Sequence, residues 1–119
     1  MNIERRGKAY QEALLLQEHL SSNWDQSIYI WETNSGLSFE GDSLSTWMFE
    51  DSIVRVNERF YFHFEKVLLR TYGKAWKAEK YLIDSIYLTI RFSRSDSLNL
   101  FFQKKYPPAI SIEGYGYID

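Results

Sequence analysis

The hydrophobic pattern of the first twenty residues has the period of an α-helix. Apolar side chains recur at three- and four-residue intervals along one stripe: Ala9, Ala13, Leu16 and Leu20. The polar run Ser21-Ser22-Asn23 follows this stripe. The spacing therefore predicts an amphipathic helix over residues 3–20.

From residue 28 onward the period changes to two, which is the spacing of a strand with one buried face. Tyr29, Trp31 and Thr33 lie on one parity, and the turn sequence Asn34-Ser35-Gly36 separates them from a second apolar segment at 37–40. This pattern predicts a β-hairpin. Two further apolar segments, 44–49 and 53–56, are expected to be strands.

The segment from 59 to 85 is harder to interpret. Phe60, Phe62 and Phe64 share one parity, and the apolar positions then shift to the other, so we expect a β-bulge near Glu65-Lys66. Gly73 has the position of a type II′ hairpin turn. The chain is expected to reverse there and to break again near 80–85, with a short helix over 76–83 as the competing interpretation.

The C-terminal part alternates most regularly, with predicted strands at 86–92 and 98–102 and a last one within 110–118. We therefore expect an α+β fold in which an N-terminal amphipathic helix packs on a twisted, mostly antiparallel sheet of about six to eight short strands, arranged as a meander or partly closed. A length of 119 residues fits a single globular domain spanning 1–119.

The composition indicates the cellular compartment in which the protein is expected. Cysteine is absent, which excludes disulfides and thiolate chemistry and fits a reducing compartment. Apolar runs are too short for an export signal or a membrane span, so we expect a cytoplasmic protein with no membrane partner. We further expect a monomer or a weak dimer.

Sequence motifs for catalysis are missing. The two histidines show no metal-ligand spacing, and Gly114-Tyr115-Gly116 continues into neither a P-loop nor a dinucleotide-binding motif. His19 lies near the predicted end of the helix, where the helix dipole favours a cation, so we expect a surface capping role for it. We expect no enzymatic activity, no catalytic residue, no cofactor and no metal.

Charge is distributed unevenly along the chain. Between Lys8 and Arg55 there are eight carboxylates and no lysine or arginine, whereas residues 52–105 carry eleven basic and five acidic side chains. A net charge of −8 is thus followed by one of +6. If folding gathers the acidic segment on one face, that face attracts basic partners.

Tryptophans are interleaved with these acids, a mixture expected where ring anchors and charge complementarity act together. The candidate partner-binding residues are Trp24, Asp25, Trp31, Glu32, Glu40, Asp42, Trp47, Glu50 and Asp51. We hypothesise an inhibitor that docks this acidic aromatic face on a basic protein, for example a nuclease toxin. Bacterial immunity proteins share this size, acidity and lack of chemistry, although no family motif occurs here.

Two alternatives remain. Tyr61, His63 and Glu65 lie on one strand parity and could line a small-molecule or enzymatic pocket inside a curved sheet. The basic stretch Lys66–Lys80, with Tyr72 and Trp76, has a composition that could bind nucleic acid. A pI of 5.7 argues against that partner, so we expect no nucleic-acid binding.

Overall fold

The computed structural model describes residues 3–76 and 80–107, with the side chains of the helix described from Gly7 onward. Within these described residues, one helix precedes eight strands: α1 (Ile3–Gln26), β1 (Tyr29–Glu32), β2 (Gly36–Glu40), β3 (Leu44–Phe49), β4 (Ile53–Val56), β5 (Phe60–His63), β6 (Lys66–Ala75), β7 (Tyr81–Arg91) and β8 (Ser97–Gln103). The α+β class with a helix on a curled antiparallel sheet is confirmed.

The helix runs six residues beyond its predicted end. Trp24 continues the stripe of Leu16 and Leu20 at four-residue spacing, and all three side chains are buried. This contact outweighs the low helix propensity of the Ser-Ser-Asn run. After Gln26, the hydroxyl of Ser27 donates to the carbonyl of Trp24 and closes the last turn.

The strands form one antiparallel sheet in the order β5-β4-β3-β2-β1-β7-β6. The predicted first hairpin is confirmed, with Tyr29 opposite Glu40 and Glu32 opposite Leu37. The predicted C-terminal pair is also confirmed, since β8 lies beside β7. One edge of β7 therefore carries β6, while β1 and β8 share its other edge.

Gly73 does not form the predicted hairpin turn. Strand β6 continues through it to Ala75, and the register with β7 shifts at this point so that Asp84 is the extra residue of a bulge. A side chain on Gly73 would collide with the carbonyl oxygen of Leu82. Glycine is required here by close approach of the neighbouring strand rather than by a turn.

The predicted bulge near Glu65-Lys66 is instead a change of strand partners. Strand β5 pairs with β4 and ends at His63, whereas β6 pairs with β7. Between them, the backbone N–H of Phe64 donates to Ser52 and that of Val67 to Asp51. These bonds join the β3–β4 side of the sheet to the start of β6 and curl it toward closure.

The chain between β6 and β7 reverses after Trp76. The predicted short helix over 76–83 is not formed in its described part, because Tyr81 already belongs to β7 and Trp76 and Lys80 have neither helical nor strand structure. Residues 77–79 and the predicted strand within 110–118 lie outside the described residues.

The concave side of the sheet holds the hydrophobic core, which the helix covers. Its fully buried members include Leu16 and Leu20 of α1 and Trp47, Ile86 and Leu88 of the sheet. The end of β8 and the residue after it contact the helix, since the carbonyl of Gln103 accepts from the indole nitrogen of Trp24 and the ammonium of Lys104 donates to the carbonyl of Trp24. The helix is thus held at its C-terminal end by the last described segment.

Candidate functional site

The six carboxylates among the candidate partner-binding residues are all exposed, but they lie at two opposite ends of strands β1 to β3. Asp25, Glu40 and Asp42 are at the end where α1 finishes, since Gly41 lies against the backbone of Gln26. Glu32, Glu50 and Asp51 are at the other end of strands β1 to β3. Tyr29 and Glu32 are three positions apart, which corresponds to about 10 Å along a strand. The acids therefore form two groups rather than one face.

Glu32, Glu50 and Asp51 lie on the rim of a cleft of about 400 Å³. Its walls are the β1–β2 turn with Asn34 and Ser35, the end of β3, and the edge of β6 that faces away from β7. We call it the acidic cleft. Within it, Glu50 has a half-exposed ion pair with Arg55, with Nε 3.4 Å from Oε1. The site thus combines a concave shape with a rim of carboxylates.

Two of the three predicted indole anchors are buried and are therefore corrected. Trp24 is 3% exposed and Trp47 0% exposed, because their positions on the helix stripe and the inward face of β3 place them in the core. They stabilise the fold and offer no surface to a partner in this structure.

The third indole, Trp31, is partly exposed on the outward face of the sheet. It stacks on Tyr29 with ring centroids 5.4 Å apart and contacts Trp76 edge-on. Its Nε1 donates to Glu40 at 3.4 Å, and the ammonium of Lys80 lies 4.8 Å from its ring centroid. A basic residue from the later part of the chain therefore lies directly over this ring.

The alternative pocket residues do not face the concavity. Tyr61, His63 and Glu65 are exposed, and the first two are on the outward face of β5 opposite Arg55 and Ile53. The inward side is filled by the helix and the core. His19 is exposed on α1 and stacks on Phe60 with centroids 6.4 Å apart.

A surface that was not predicted from the sequence lies on the outward side of β6, β7 and β8. We call it the basic aromatic face; it comprises Lys66, Leu68, Arg70, Tyr72, Tyr87, Arg91 and Phe101, all exposed. Arg70 is opposite Tyr87, which is opposite Phe101. The pairing of three strands brings these residues together. The alternation within each strand was readable from sequence, but the pairing that places the three strands side by side was not.

Two partly buried polar side chains, Tyr106 and Lys104, hold the C-terminal end of the described chain. The phenol of Tyr106 accepts from the N–H of Ile30 at 3.2 Å and donates to the carbonyl of Ile83 at 2.5 Å. Burial raises the pKa of this phenol, and Asp84 raises it further against the opposing backbone hydrogen bond. Burial lowers the pKa of Lys104, whose ammonium donates to the carbonyl of Trp24, while Asp25 acts in the opposite direction.

Comparison with known proteins finds no matching family model, no matching curated protein and no matching solved structure. In residues 3–76 and 80–107, no cluster of three histidine or acidic side chains is arranged to hold a metal ion. No helix in that part of the chain has the length and apolarity to cross a membrane.

Proposed function

We propose that the protein binds a basic protein and blocks that partner's site, as an immunity-type inhibitor of a toxin such as a nuclease. The single observation that carries the proposal is the convergence of Glu32, Glu50 and Asp51 on the rim of the acidic cleft. A concave site with carboxylates at its mouth fits the side chain of a lysine or arginine.

The position of Arg55 supports this choice of ligand. Its guanidinium contacts Glu50, so the rim already accepts a cation of the chemistry that we propose for the partner. Glu32 and Asp51 remain exposed beside it. Because exposed ion pairs contribute only about 0–1 kcal/mol, a partner could add to or replace the Arg55 contact at small cost.

The proposal revises the surface expected from sequence while keeping its chemistry. Trp24 and Trp47 are omitted from the contact surface, and the acids Asp25, Glu40 and Asp42 form a separate group that serves as an internal control. We further propose that the protein acts in the cytoplasm as a monomer or weak dimer, which its lack of cysteine fits.

The test compares two variants of equal charge. The triple variant Glu32→Gln, Glu50→Gln, Asp51→Asn neutralises the acidic cleft, and Asp25→Asn, Glu40→Gln, Asp42→Asn neutralises the opposite end. Proteins recovered from the source lysate with the wild type are identified by mass spectrometry and purified. Their association rates with each form are then measured by stopped flow at 50 and 500 mM salt.

We expect a basic partner whose association slows at least tenfold at high salt and for the cleft variant, while the control variant stays within about twofold, because complementary charges act mainly on association. An acidic partner, a salt-independent rate or equal losses in both variants would overturn the proposal.

A further inference from the structure

The basic aromatic face has a one-sided charge. Among the regular outward positions of β6, β7 and β8 there are cations and no carboxylate, and the sole acid of the three strands, Asp84, is at the bulge and accepts from the hydroxyl of Ser85. Exposed Lys66 and Arg91 are paired across β6 and β7, and Arg70 lies four residues further along β6. The cations thus follow a line of about 13 Å along the sheet.

Aromatic rings occupy the middle of this line. Tyr87 and Phe101 are about half exposed, and their centroids are 4.6 Å apart. Tyr72 meets Tyr87 edge-on at 5.9 Å and is also exposed. The three rings stand on rigid neighbouring strands beside Arg70, instead of on mobile loops. Their flat surfaces are therefore presented together with positive charge at fixed spacing.

From this arrangement we infer that the outward face of β6, β7 and β8 binds single-stranded nucleic acid. Exposed rings stack on unpaired bases, while arginine and lysine neutralise the phosphates between them. Duplex nucleic acid keeps its bases paired and offers no ring surface to stack on, so this face favours the single-stranded form. The net negative charge of the whole chain does not prevent this, because local charge governs a contact within a Debye length.

The acidic cleft sets the orientation of the bound strand. Its lining includes Leu68 and Leu69, so its carboxylate rim lies beyond the edge of β6 that faces away from β7. Phosphates are repelled from that side and are drawn toward β7 and β8. The inference is independent of the proposed protein partner, because the binding contacts are the rings and cations of β6, β7 and β8, and the cleft carboxylates only exclude phosphates from one side.

Fluorescence anisotropy with labelled twelve-nucleotide oligo-dT and oligo-U tests the inference and separates DNA from RNA. We expect a dissociation constant below 100 μM in 50 mM NaCl for at least one of them. Three phosphate contacts give a slope of log affinity against log salt of about −2, from about −0.7 per contact for single strands. Failure to bind either oligonucleotide at 100 μM protein would overturn the inference.

Two pairs of variants separate stacking from charge. Tyr87→Ala with Phe101→Ala should weaken binding by about tenfold or more per ring that stacks, whereas Tyr61→Ala, an exposed ring on β5, should not. Arg70→Gln should reduce the salt slope by about 0.7, and Arg59→Gln, in the β4–β5 turn, should leave it unchanged. A further outcome is that duplex DNA or polyglutamate binds as tightly as the oligonucleotides, with no effect of the ring variants. This outcome would indicate a surface that recognises negative charge alone, as for an acidic protein, and would contradict the inference.

If the ring variant loses its far-UV circular dichroism, wild-type protein titrated by NMR replaces it. Shifts of the amides of Arg70, Tyr87 and Phe101 on adding the oligonucleotide support the inference. Shifts confined to residues off this face overturn it.

Discussion

The hydroxyl of Tyr106 accepts a hydrogen bond from the backbone N–H of Ile30, across 76 positions of sequence. The same hydroxyl donates to Ile83 on β7. Strands β1 and β7 share one register pair, Trp31 with Leu82, so this side chain extends a very short ladder. The junction between β1 and β7 therefore depends on a residue that lies beyond β8.

Replacing Tyr106 with phenylalanine should lower the free energy of unfolding by about 1–3 kcal/mol, because a buried N–H and a buried carbonyl lose their partner. Urea denaturation monitored by circular dichroism measures the change. Tyr10→Phe is the control, since Tyr10 is 47% exposed and its edge-on ring contact with Phe92 does not need the hydroxyl. Equal stability of wild type and Tyr106→Phe would show that the hydroxyl contributes nothing to this junction.

Stability should also fall as pH rises above about 10. A tyrosine in the unfolded chain ionises near its ordinary pKa of 10.0, whereas burial raises the pKa of Tyr106 in the folded protein. Above pH 10 the unfolded chain therefore releases this proton before the folded one does, and the equilibrium shifts toward unfolding.

Lys104 acts with the opposite sign. Burial lowers its pKa below the ordinary 10.5, so its folded form releases a proton first and gains stability as pH rises toward 10.5. Urea midpoints between pH 8.5 and 11.5 should thus decline less steeply in Tyr106→Phe than in the wild type. Parallel pH profiles would contradict the assignment to Tyr106.

Adding a methyl group should have opposite effects at two glycines, Gly73 at the bulge and Gly7 on the helix. Gly73→Ala should destabilise the protein by about 1–3 kcal/mol or more, because its Cβ meets the backbone of Leu82 and neither strand can move away easily. Gly7→Ala should stabilise it by about 0.5–1 kcal/mol, since nothing lies within 4 Å and alanine favours the helix. Thermal unfolding of both variants provides the check, and a neutral Gly73→Ala would refute the close approach.

The indole rings should divide into structural and surface classes. Trp47→Ala should cost about 3–5 kcal/mol because the ring is completely buried. Trp31→Ala should cost about 1–2 kcal/mol, mainly through its contacts with Tyr29 and Trp76. Chemical denaturation separates the two. A larger loss for Trp31 than for Trp47 would reverse their placement.

The β4–β5 turn stores backbone strain that one substitution should relieve. Asn57 and Glu58 both have positive φ, at 54° and 59°. Asn57 compensates by accepting from the N–H of Thr46 through its side chain, whereas Glu58 is exposed and has a side chain that disfavours positive φ. Glu58→Gly should therefore raise the free energy of unfolding by about 1 kcal/mol, whereas Glu58→Ala, which keeps the strain, should not. Calorimetry of the three proteins tests this, and equal melting temperatures would argue against strain.

Much of the fold followed from periodicity, because a buried face imposes its own spacing on the sequence. The stripe ending at Leu20, the hairpin opposite Tyr29 and the pair β7–β8 were predictable in this way. The continuation of the helix to Trp24 was not, since a tertiary contact overrode the local polar run. The predicted hairpin turn at Gly73 is wrong because turns and close strand approach both require glycine, and only the position of Leu82 distinguishes the two.

The candidate surfaces were less predictable for a related reason. A tryptophan beside an acid looks the same in sequence whether its ring is buried, as in Trp47, or partly exposed, as in Trp31. Charge along the chain also says little about charge in space, because the strand order determines which segments become neighbours. Tyr87 and Phe101 joined Arg70 only through pairing of three strands.

The sheet consists of two wings, β1–β5 and β6–β8, which are joined near the start of β6 by the backbone bonds of Phe64 and Val67 and, between β1 and β7, along a narrow seam with a single register pair. Bending of the molecule should concentrate at this seam, where the fewest main-chain bonds resist it. Walls from both wings form the acidic cleft, so a side chain wedged there would lock their relative angle. Binding at that end would then stiffen the whole molecule.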